Sequence, residues 1–369
     1  MKPSGISIVV ATKGRVRLLE NLLQSVQVAR GNFTLPTEIL LIDDSNKDDL
    51  PSIERLCRDY DAQRIQFGPS VPQKRNKGAY SAKYDIVLFL DSDCIATPNI
   101  LNEHYRLYDS EKVAGVAGYL EFTGRDTWFW KAIEKTPFVV CFDLPRWLDT
   151  VPWTATANFS VLKRVYEEVG GCDTSFPDKP GGEDVDLGLK ITKAGYTIRC
   201  TAAGKVYHDK ETWRAPKAMF RRLWHYGVAN YYLAERHPDY VFDVMPRKSC
   251  ILLLSLLCCV IASILKASPV MLLTYPIWLI ADLLVTALFA RPLSEQRASF
   301  SQQLAIELMF LDNELGYVVT CLKKGKPQYV NKDLIYFDGQ LEGIQKKSSV
   351  MVWCNIVSLL ILASLIWLL

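Results

Sequence analysis

The chain of 369 residues carries 43 Lys and Arg against 40 Asp and Glu, a formal charge of +3, and 49% of it is hydrophobic. That length accommodates one large domain plus an appendage, and so mild a charge, with no basic patch interleaved with aromatics, excludes nucleic acid as a partner. The 10 cysteines show no C-x-x-C and no metal-ligand spacing, so they read as reduced thiols rather than a disulfide framework.

No signal peptide is expected, because Lys2-Pro3-Ser4-Gly5 leads straight into the buried strand pattern of residues 6–11. Thr12-Lys13-Gly14-Arg15 then turns into an amphipathic helix with Leu18, Leu19, Leu22, Leu23 and Val26 on one face. A second strand, residues 38–42, ends on Asp43-Asp44-Ser45. A helix is predicted over 50–60 and a brief strand over 65–67, and Gln73-Lys74-Arg75-Asn76-Lys77-Gly78-Ala79 opens a further helix. The run Ile86-Val87-Leu88-Phe89-Leu90 suits a strand buried on both faces, and it stops on Asp91-Ser92-Asp93. Side chains in a strand alternate, so both carboxylates are expected to point the same way at its end. Paired like charges there invite a divalent cation, whereas a solvated turn is the plainer reading. Strands alternating with helices indicate a doubly wound, mostly parallel sheet, with ligands at the carboxyl ends of its strands.

Beyond Asp93 the pattern changes. Residues 113–122 and 154–160 read as strands, 126–151 as a loop and helix rich in Trp, Phe and Pro, and 163–169 as a helix before Gly170-Gly171-Cys172-Asp173. A helix over 181–194 opens Gly181-Gly182-Glu183-Asp184-Val185-Asp186, its acids matched to the helix dipole. A strand over 196–200 precedes His208 and a basic aromatic helix.

From Ser249 composition shifts. Three apolar runs, about 250–265, 269–290 (interrupted by Asp282) and 350–369, read as membrane spans. An amphipathic stretch at about 300–322 is expected to lie in the interface. Lys and Arg gather before the first run and between the second and third, which predicts a cytoplasmic catalytic domain. The division expected is therefore a catalytic domain over 1–235 and a membrane region over 236–369, in a multi-pass protein of the cell's inner membrane.

The ordered series Thr12-Lys13-Gly14-Arg15, Asp43-Asp44-Ser45, Arg75-Asn76-Lys77-Gly78, Asp91-Ser92-Asp93, Gly170-Gly171-Cys172-Asp173 and Gly181-Gly182-Glu183-Asp184 resembles glycosyltransferase family 2. These are inverting nucleotide-sugar transferases with a GT-A fold, and the resemblance covers roughly residues 5–235. It implies donor-binding roles for Thr12, Arg15, Asp43, Asp44, Arg75 and Asp91. Metal ligation by Asp91, Asp93 and His208 would hold Mn²⁺ or Mg²⁺, imidazole tilting the choice toward Mn²⁺. The base that takes the acceptor's proton is Asp184 by the family pattern, with Glu183 placing the acceptor and Glu183 itself the alternative base. Guanidinium suits Arg75 to a diphosphate, and Lys74 and Lys77 are expected in solvent. Asn76 and Gly78 are expected to shape a turn. His208, Asn158, Trp128, Trp130 and Trp153 each have a structural reading beside a functional one, and Arg221 and Arg222 face either a diphosphate or anionic head groups. Met219-Phe220-Arg221-Arg222-Leu223-Trp224 departs from the Q-x-x-R-W of processive members, which argues against a polymer-extruding synthase.

These expectations describe transfer of one sugar from a nucleotide diphosphate sugar to a hydroxyl on a lipid-linked glycan or polyprenyl-type carrier. The rivals are a nucleotidyltransferase, which would want a glycine-rich loop after the first strand, and a silent membrane scaffold that binds nucleotide sugars.

Overall fold

The structure, a computed structural model, describes residues 2–177, 181–244, 247–290, 298–337 and 340–368. It divides into two compact units: Met1–Arg125 with Val139–Thr212, and Asp126–Phe138 with Trp213–Leu369.

The first unit is built in chain order from β1 (Ile6–Thr12), α1 (Val16–Gly31), β2 (Thr37–Asp43), α2 (Leu50–Asp59), β3 (Ala62–Gln66), α3 (Val71–Ser81), β4 (Ile86–Leu90), β5 (Cys94–Ala96), α4 (Ile100–Tyr105) and β6 (Val113–Thr123). After the excursion into the second unit come β7 (Thr150–Val151), β8 (Asn158–Leu162), α6 (Lys163–Glu168), α7 (Glu183–Lys193) and β9 (Thr197–Asp209). Within the described residues the strands form a nine-stranded sheet ordered β3-β2-β1-β4-β8-β6-β9-β5, with β7 on β9. The half from β3 to β4 is wholly parallel, as the alternation of strands and helices requires. β8 runs antiparallel to both β4 and β6, so the sheet as a whole is mixed. Apolar side chains of β1, β2 and β4 alternate between two cores: Ile8, Leu41 and Leu88 pack with α1 and α2, and Val9, Leu40 and Phe89 pack on the α3, α6 and α7 side. Each of these fully buried side chains contributes roughly 1.5–3 kcal/mol. Gly78 lies inside α3, where a Cβ would collide with Val9. Its role is to let the helix approach the sheet closely, not to shape a turn.

β9 runs on to Asp209, well past the strand expected over 196–200, because its second half pairs with β5 and β6. That extension carries His208 to the end of the central strand. Asn158 proves structural: its amide bonds to the carbonyls of Tyr119 (3.0 Å) and Gly204 (2.8 Å), and its Oδ1 meets the His104 ring.

The second unit holds α5 (Trp130–Ile133), α8 (Pro216–Arg236), β10 (Val241–Asp243), α9 (Lys248–Leu265), α10 (Val270–Ala290), α11 (Phe300–Lys323), β11 (Lys332–Leu334) and α12 (Gln340–Leu368). α8 belongs to this unit and not to the α/β one, because it crosses α11 backbone to backbone. A Cβ at Gly227 would strike Asn313, and one at Gly316 would strike Trp224. α11 opens on a capping box between Ser299 and Gln302. Among the described residues two helices are long and apolar enough to cross a membrane, Lys248–Leu265 and Val270–Phe289, with mean hydropathy 2.4 and 1.9; Val352–Leu368 is a shorter apolar stretch. Lys248 of α9 donates to Asp282 of α10 at 2.5 Å and to Thr286 at 2.9 Å, and Ser358 of α12 donates to the same Asp282 oxygen at 2.5 Å. A charge in an apolar bundle persists only when paired in this way.

Candidate active site

The parallel register sets Thr12 beside Asp43 at the carboxyl ends of β1 and β2. Asp43 is fully buried; Arg64 of β3 donates to its Oδ2 at 2.7 Å, and Ser45 caps its Oδ1 with both backbone N–H (3.1 Å) and hydroxyl. The Ser45 hydroxyl in turn accepts the Gly14 N–H at 2.6 Å. Gly14 and Arg15 both have left-handed backbone, φ +57° and +52°. Glycine adopts that conformation freely, and Arg15 holds it at a cost. Asp44 pairs with Lys13 at 3.3 Å and with Lys74, whose ammonium also donates to the Thr12 carbonyl at 2.7 Å. Lys74, expected in solvent, is only 3% exposed. Lys77 is exposed as anticipated. The hydroxyl of Thr12 is buried without a hydrogen-bond partner among the described residues.

β4 stops at Leu90, and Asp91-Ser92-Asp93 is a turn closed by Cys94 N–H donating to the Asp91 carbonyl at 3.1 Å. The two acids therefore do not share a direction through strand alternation, as the sequence had suggested. Arg75 of α3, itself buried, donates to Asp91 Oδ1 at 3.3 Å. Asp93 Oδ2 instead accepts from Arg15 Nη1 at 2.8 Å, and its Oδ1 faces His208 Nε2 at 3.3 Å. The antiparallel pairing of β5 with β9 is what sets His208 opposite Cys94 and beside Asp93.

Burial opposes charge on both members of the Asp93–His208 pair, but their mutual hydrogen bond and attraction prevail. The His208 pKa is raised above its ordinary value, and the Asp93 carboxyl, with Arg15 adding to the effect, is held below its own. His208 Nδ1 lies 2.9 Å from the Asp209 carbonyl, which places a proton there and leaves Nε2 as the atom that faces Asp93. Ligand atoms of Asp93, Cys94 and His208 lie within 4.8 Å of one another. The Cys94 thiol points at the Ala157 carbonyl, 3.8 Å away in the core, which leaves a carboxylate and an imidazole as the donors able to hold a cation.

Arg75 spans the second half of the site as well. Its Nη1 donates to Glu183 Oε1 at 2.8 Å, so one guanidinium touches the turn after β4 and the start of α7. Flanked by this charge pair, the Arg75 pKa is raised despite its burial. Gly181 and Gly182 both have positive φ, +128° and +95°, and the Gly181 N–H donates to Glu183 Oε2 at 3.2 Å. Asp184, partly exposed, accepts its neighbour's N–H from Val185 at 2.9 Å. Burial first and the Glu183 charge second push its pKa up to about 7. Asp186 forms an ion pair with Lys190 at 2.9 Å, one turn along α7, which supports its reading as a helix-stabilising acid. Asn76 does not shape its own turn but holds a distant one. Its side chain donates to the Cys172 carbonyl at 2.8 Å and accepts the Cys172 N–H at 2.9 Å, fixing the loop that leads toward α7.

The structure thus gathers Thr12, Arg15, Asp43, Asp44, Arg75, Asp91, Asp93, Glu183, Asp184 and His208 at the strand ends of one unit. Lys74 and Arg64 join them unforeseen. Lys74 had a signal in the sequence, one helical turn before Gly78 and so on the same inward face. Arg64 had none, since a single basic residue in a short edge strand is unremarkable. Trp153 is buried against Gly188, where a Cβ would strike its backbone, so it serves as packing; in the second unit Trp130 is buried too, and Trp128 is exposed.

The sequence model of glycosyl transferase family 2 matches residues 7–170. Among characterised relatives, an O-antigen biosynthesis protein of Myxococcus xanthus is 26% identical over 58% of this chain and 18% of its own length. The chondroitin synthase of Pasteurella multocida is 25% identical over 57% of this chain and 25% of its own. The chain therefore spans about a fifth to a quarter of the length of these relatives. A mannosyltransferase of Pyrobaculum calidifontis, solved in complex with GDP-Man and Mn²⁺, shares the fold with a TM-score of 0.50 and 15% identity over 89% of this chain and 85% of that one. The GT-A expectation is borne out by the shared fold, and the stretch over residues 7–170, which holds the motifs from Thr12 through Asp93, matches glycosyl transferase family 2.

Proposed function

We propose that the chain transfers a single sugar, with inversion, from a nucleotide diphosphate sugar to a hydroxyl on a lipid-linked glycan or polyprenyl-type carrier at the cytoplasmic face of the cell membrane. The observation that carries the reading is Arg75, whose buried guanidinium contacts both Asp91 and Glu183. It fixes the turn suited to a donor diphosphate beside the helix start suited to an acceptor, and so supports an in-line geometry.

Asp43, Asp44 and Thr12 would take the donor's base and ribose, since buried acceptors of fixed direction suit N–H and hydroxyl donors. Arg75 and Arg15 would meet the diphosphate as charge develops on it. Asp184, poised near neutrality and next to Glu183, would remove the acceptor's proton. Asp93 and His208, with Asp91 on the same turn, fit a divalent cation, and a mixed carboxylate and imidazole set favours Mn²⁺ over Mg²⁺. When bound, such a cation neutralises charge on the leaving diphosphate. The Mn²⁺ and GDP-Man of the mannosyltransferase neighbour are in keeping with this assignment.

The membrane part of the reading is supported by α9 and α10. Leu253, Leu254, Leu257, Ile264 and Leu265 on the first, and Leu273, Ile277, Ile280 and Leu288 on the second, are exposed. So large an apolar surface is costly in water and at home in a bilayer. The reading is tested by thermal shift of the full chain in detergent against a panel of nucleotide sugars with and without Mn²⁺. One donor is expected to raise the melting temperature only when Mn²⁺ is present; no response to any donor would count against it.

A further inference from the structure

Two guanidiniums serve the turn after β4, and they are held in opposite ways. Arg75 has a buried side chain and two carboxylate partners, Asp91 and Glu183, on separate elements. Arg15 reaches the same turn across 78 positions of chain, donating from Nη1 to Asp93 Oδ2 at 2.8 Å. Its side chain is 48% exposed, against 7% for Asp93, which is its one carboxylate partner among the described residues. A buried fork with two anchors cannot leave without stranding charge. An ion pair open to water on one side contributes little, so Arg15 is the guanidinium able to move.

Its backbone, by contrast, is fixed. Arg15 is left-handed, φ +52° and ψ +38°, and follows a second left-handed residue, Gly14. The Arg15 carbonyl accepts the N–H groups of Leu18 (2.9 Å) and Leu19 (3.0 Å) and so starts α1, while the Gly14 N–H is tied to the Ser45 hydroxyl. A strained turn gripped from both sides therefore carries a long, half-exposed side chain over the strand ends. Strain of this kind persists where function requires it and the surroundings enforce it.

We propose that Arg15 guards Asp93: its guanidinium and a divalent cation compete for one carboxylate, and a diphosphate relieves the competition by offering Arg15 another anion. The assignment rests on the transferase reading, in which Arg15 meets the diphosphate, and deepens it by making cation binding depend on the donor. Both Asp93 oxygens are already addressed, Oδ2 by Arg15 and Oδ1 by His208 Nε2 at 3.3 Å. Any cation that Asp93 and His208 hold shares that carboxylate with a guanidinium, and like charges so close repel. With no other anion at hand, a displaced Arg15 has only water as its partner. A diphosphate matches the guanidinium fork, so Arg15 then exchanges one anion for another. Coupling of this kind is reciprocal: whatever the donor adds to cation affinity, the cation adds to donor affinity.

The test is Mn²⁺ titration of the full chain in detergent by electron paramagnetic resonance, with Mn²⁺ alone and with UDP, GDP or dTDP, corrected for Mn²⁺ held by free nucleotide. With Mn²⁺ alone, Arg15→Gln is expected to bind about tenfold more tightly than wild type, and Arg15→Lys, which keeps the charge, to stay near wild type. Adding Asp93→Asn to Arg15→Gln is expected to abolish the gain, which places it at Asp93. With one of the nucleotides, wild type is expected to gain Mn²⁺ affinity and Arg15→Gln to gain about tenfold less, because its guard is already gone. Arg15→Gln is expected to melt with wild type, since a pair so open to water adds little to stability. Equal affinity for Mn²⁺ alone in wild type and Arg15→Gln, or an equal gain from nucleotide in both, would overturn the proposal. No response to any of the three nucleotides in either protein would instead strike the transferase reading, and tighter binding of Mn²⁺ alone by Arg15→Gln would still uphold the competition at Asp93.

Discussion

Arg75 and Glu183 stand 108 positions apart in the chain and meet at 2.8 Å, both buried. The pair joins a helix of the parallel half of the sheet to the first turn of α7, and the same guanidinium also reaches Asp91. Removing one partner of such a pair strands the other, at a cost of about 3–5 kcal/mol. Arg75→Ala is therefore expected to lower the urea midpoint sharply. Arg75→Lys keeps the charge but loses the fork, and about a hundredfold loss of turnover with a smaller loss of stability is expected. Parallel urea melts and nucleoside diphosphate release separate the two effects.

Asp184 carries the clearest pH signature. Its pKa in the folded chain, about 7, lies above the ordinary value of 3.8. A raised acid favours the protonated folded state, so its contribution to stability declines as pH climbs from the ordinary value toward 7 and is level above that. Turnover should move the opposite way, rising with pH through about 7 as the base loses its proton. Asp184→Asn is expected to abolish transfer and yet raise the melting temperature by a few degrees at neutral pH. A pH-rate profile beside melting curves of both proteins checks the opposition.

Asp43 is fully buried and accepts from Arg64 and Ser45. Asp43→Asn keeps the shape but removes the charge that balances Arg64. The expected result is donor affinity weakened by roughly tenfold or more, with turnover at saturating donor less affected, because a ground-state contact is lost. Isothermal titration of donor with Mn²⁺ reads it directly.

In the helical unit, Asp282→Ala leaves Lys248 buried without its carboxylate. A destabilisation of about 3–5 kcal/mol is expected, and the double variant Lys248→Met with Asp282→Ala should recover most of it. Melting in detergent micelles distinguishes the single from the double change. Recovery would show that the pair matters for charge balance, not for shape.

Much of this was legible beforehand because the informative patterns are local. Apolar runs marked β1, β2 and β4, and the acids that follow β2 and β4 marked the carboxyl edge of the sheet as the candidate site. What stayed hidden depends on pairing across long separations. The ladders with β5 and β6 extend β9 to His208, and no periodicity in residues 201–209 announces them. The turn at Asp91-Ser92-Asp93 defeats strand alternation because the ladder stops one residue before it. Lys74 looked solvated because a lysine beside an arginine usually is, and its burial becomes visible only with Asp44 and the Thr12 carbonyl in place. Trp147, whose indole N–H donates to Asp143 at 3.0 Å, lay in a stretch without a clean period, where the 3-10 turns Val140–Phe142 and Leu144–Arg146 leave no repeating face to read.

The most direct test of the central claim is nucleoside diphosphate release, with Mn²⁺ and the donor found by thermal shift, by wild type and by Asp93→Asn, Asp184→Asn and Arg75→Lys. The expected result is release by wild type, coupled to a product of inverted anomeric configuration, and loss of at least about a hundredfold in each variant. Wild-type rates in all three variants, or a product that retains the donor's configuration, would contradict it.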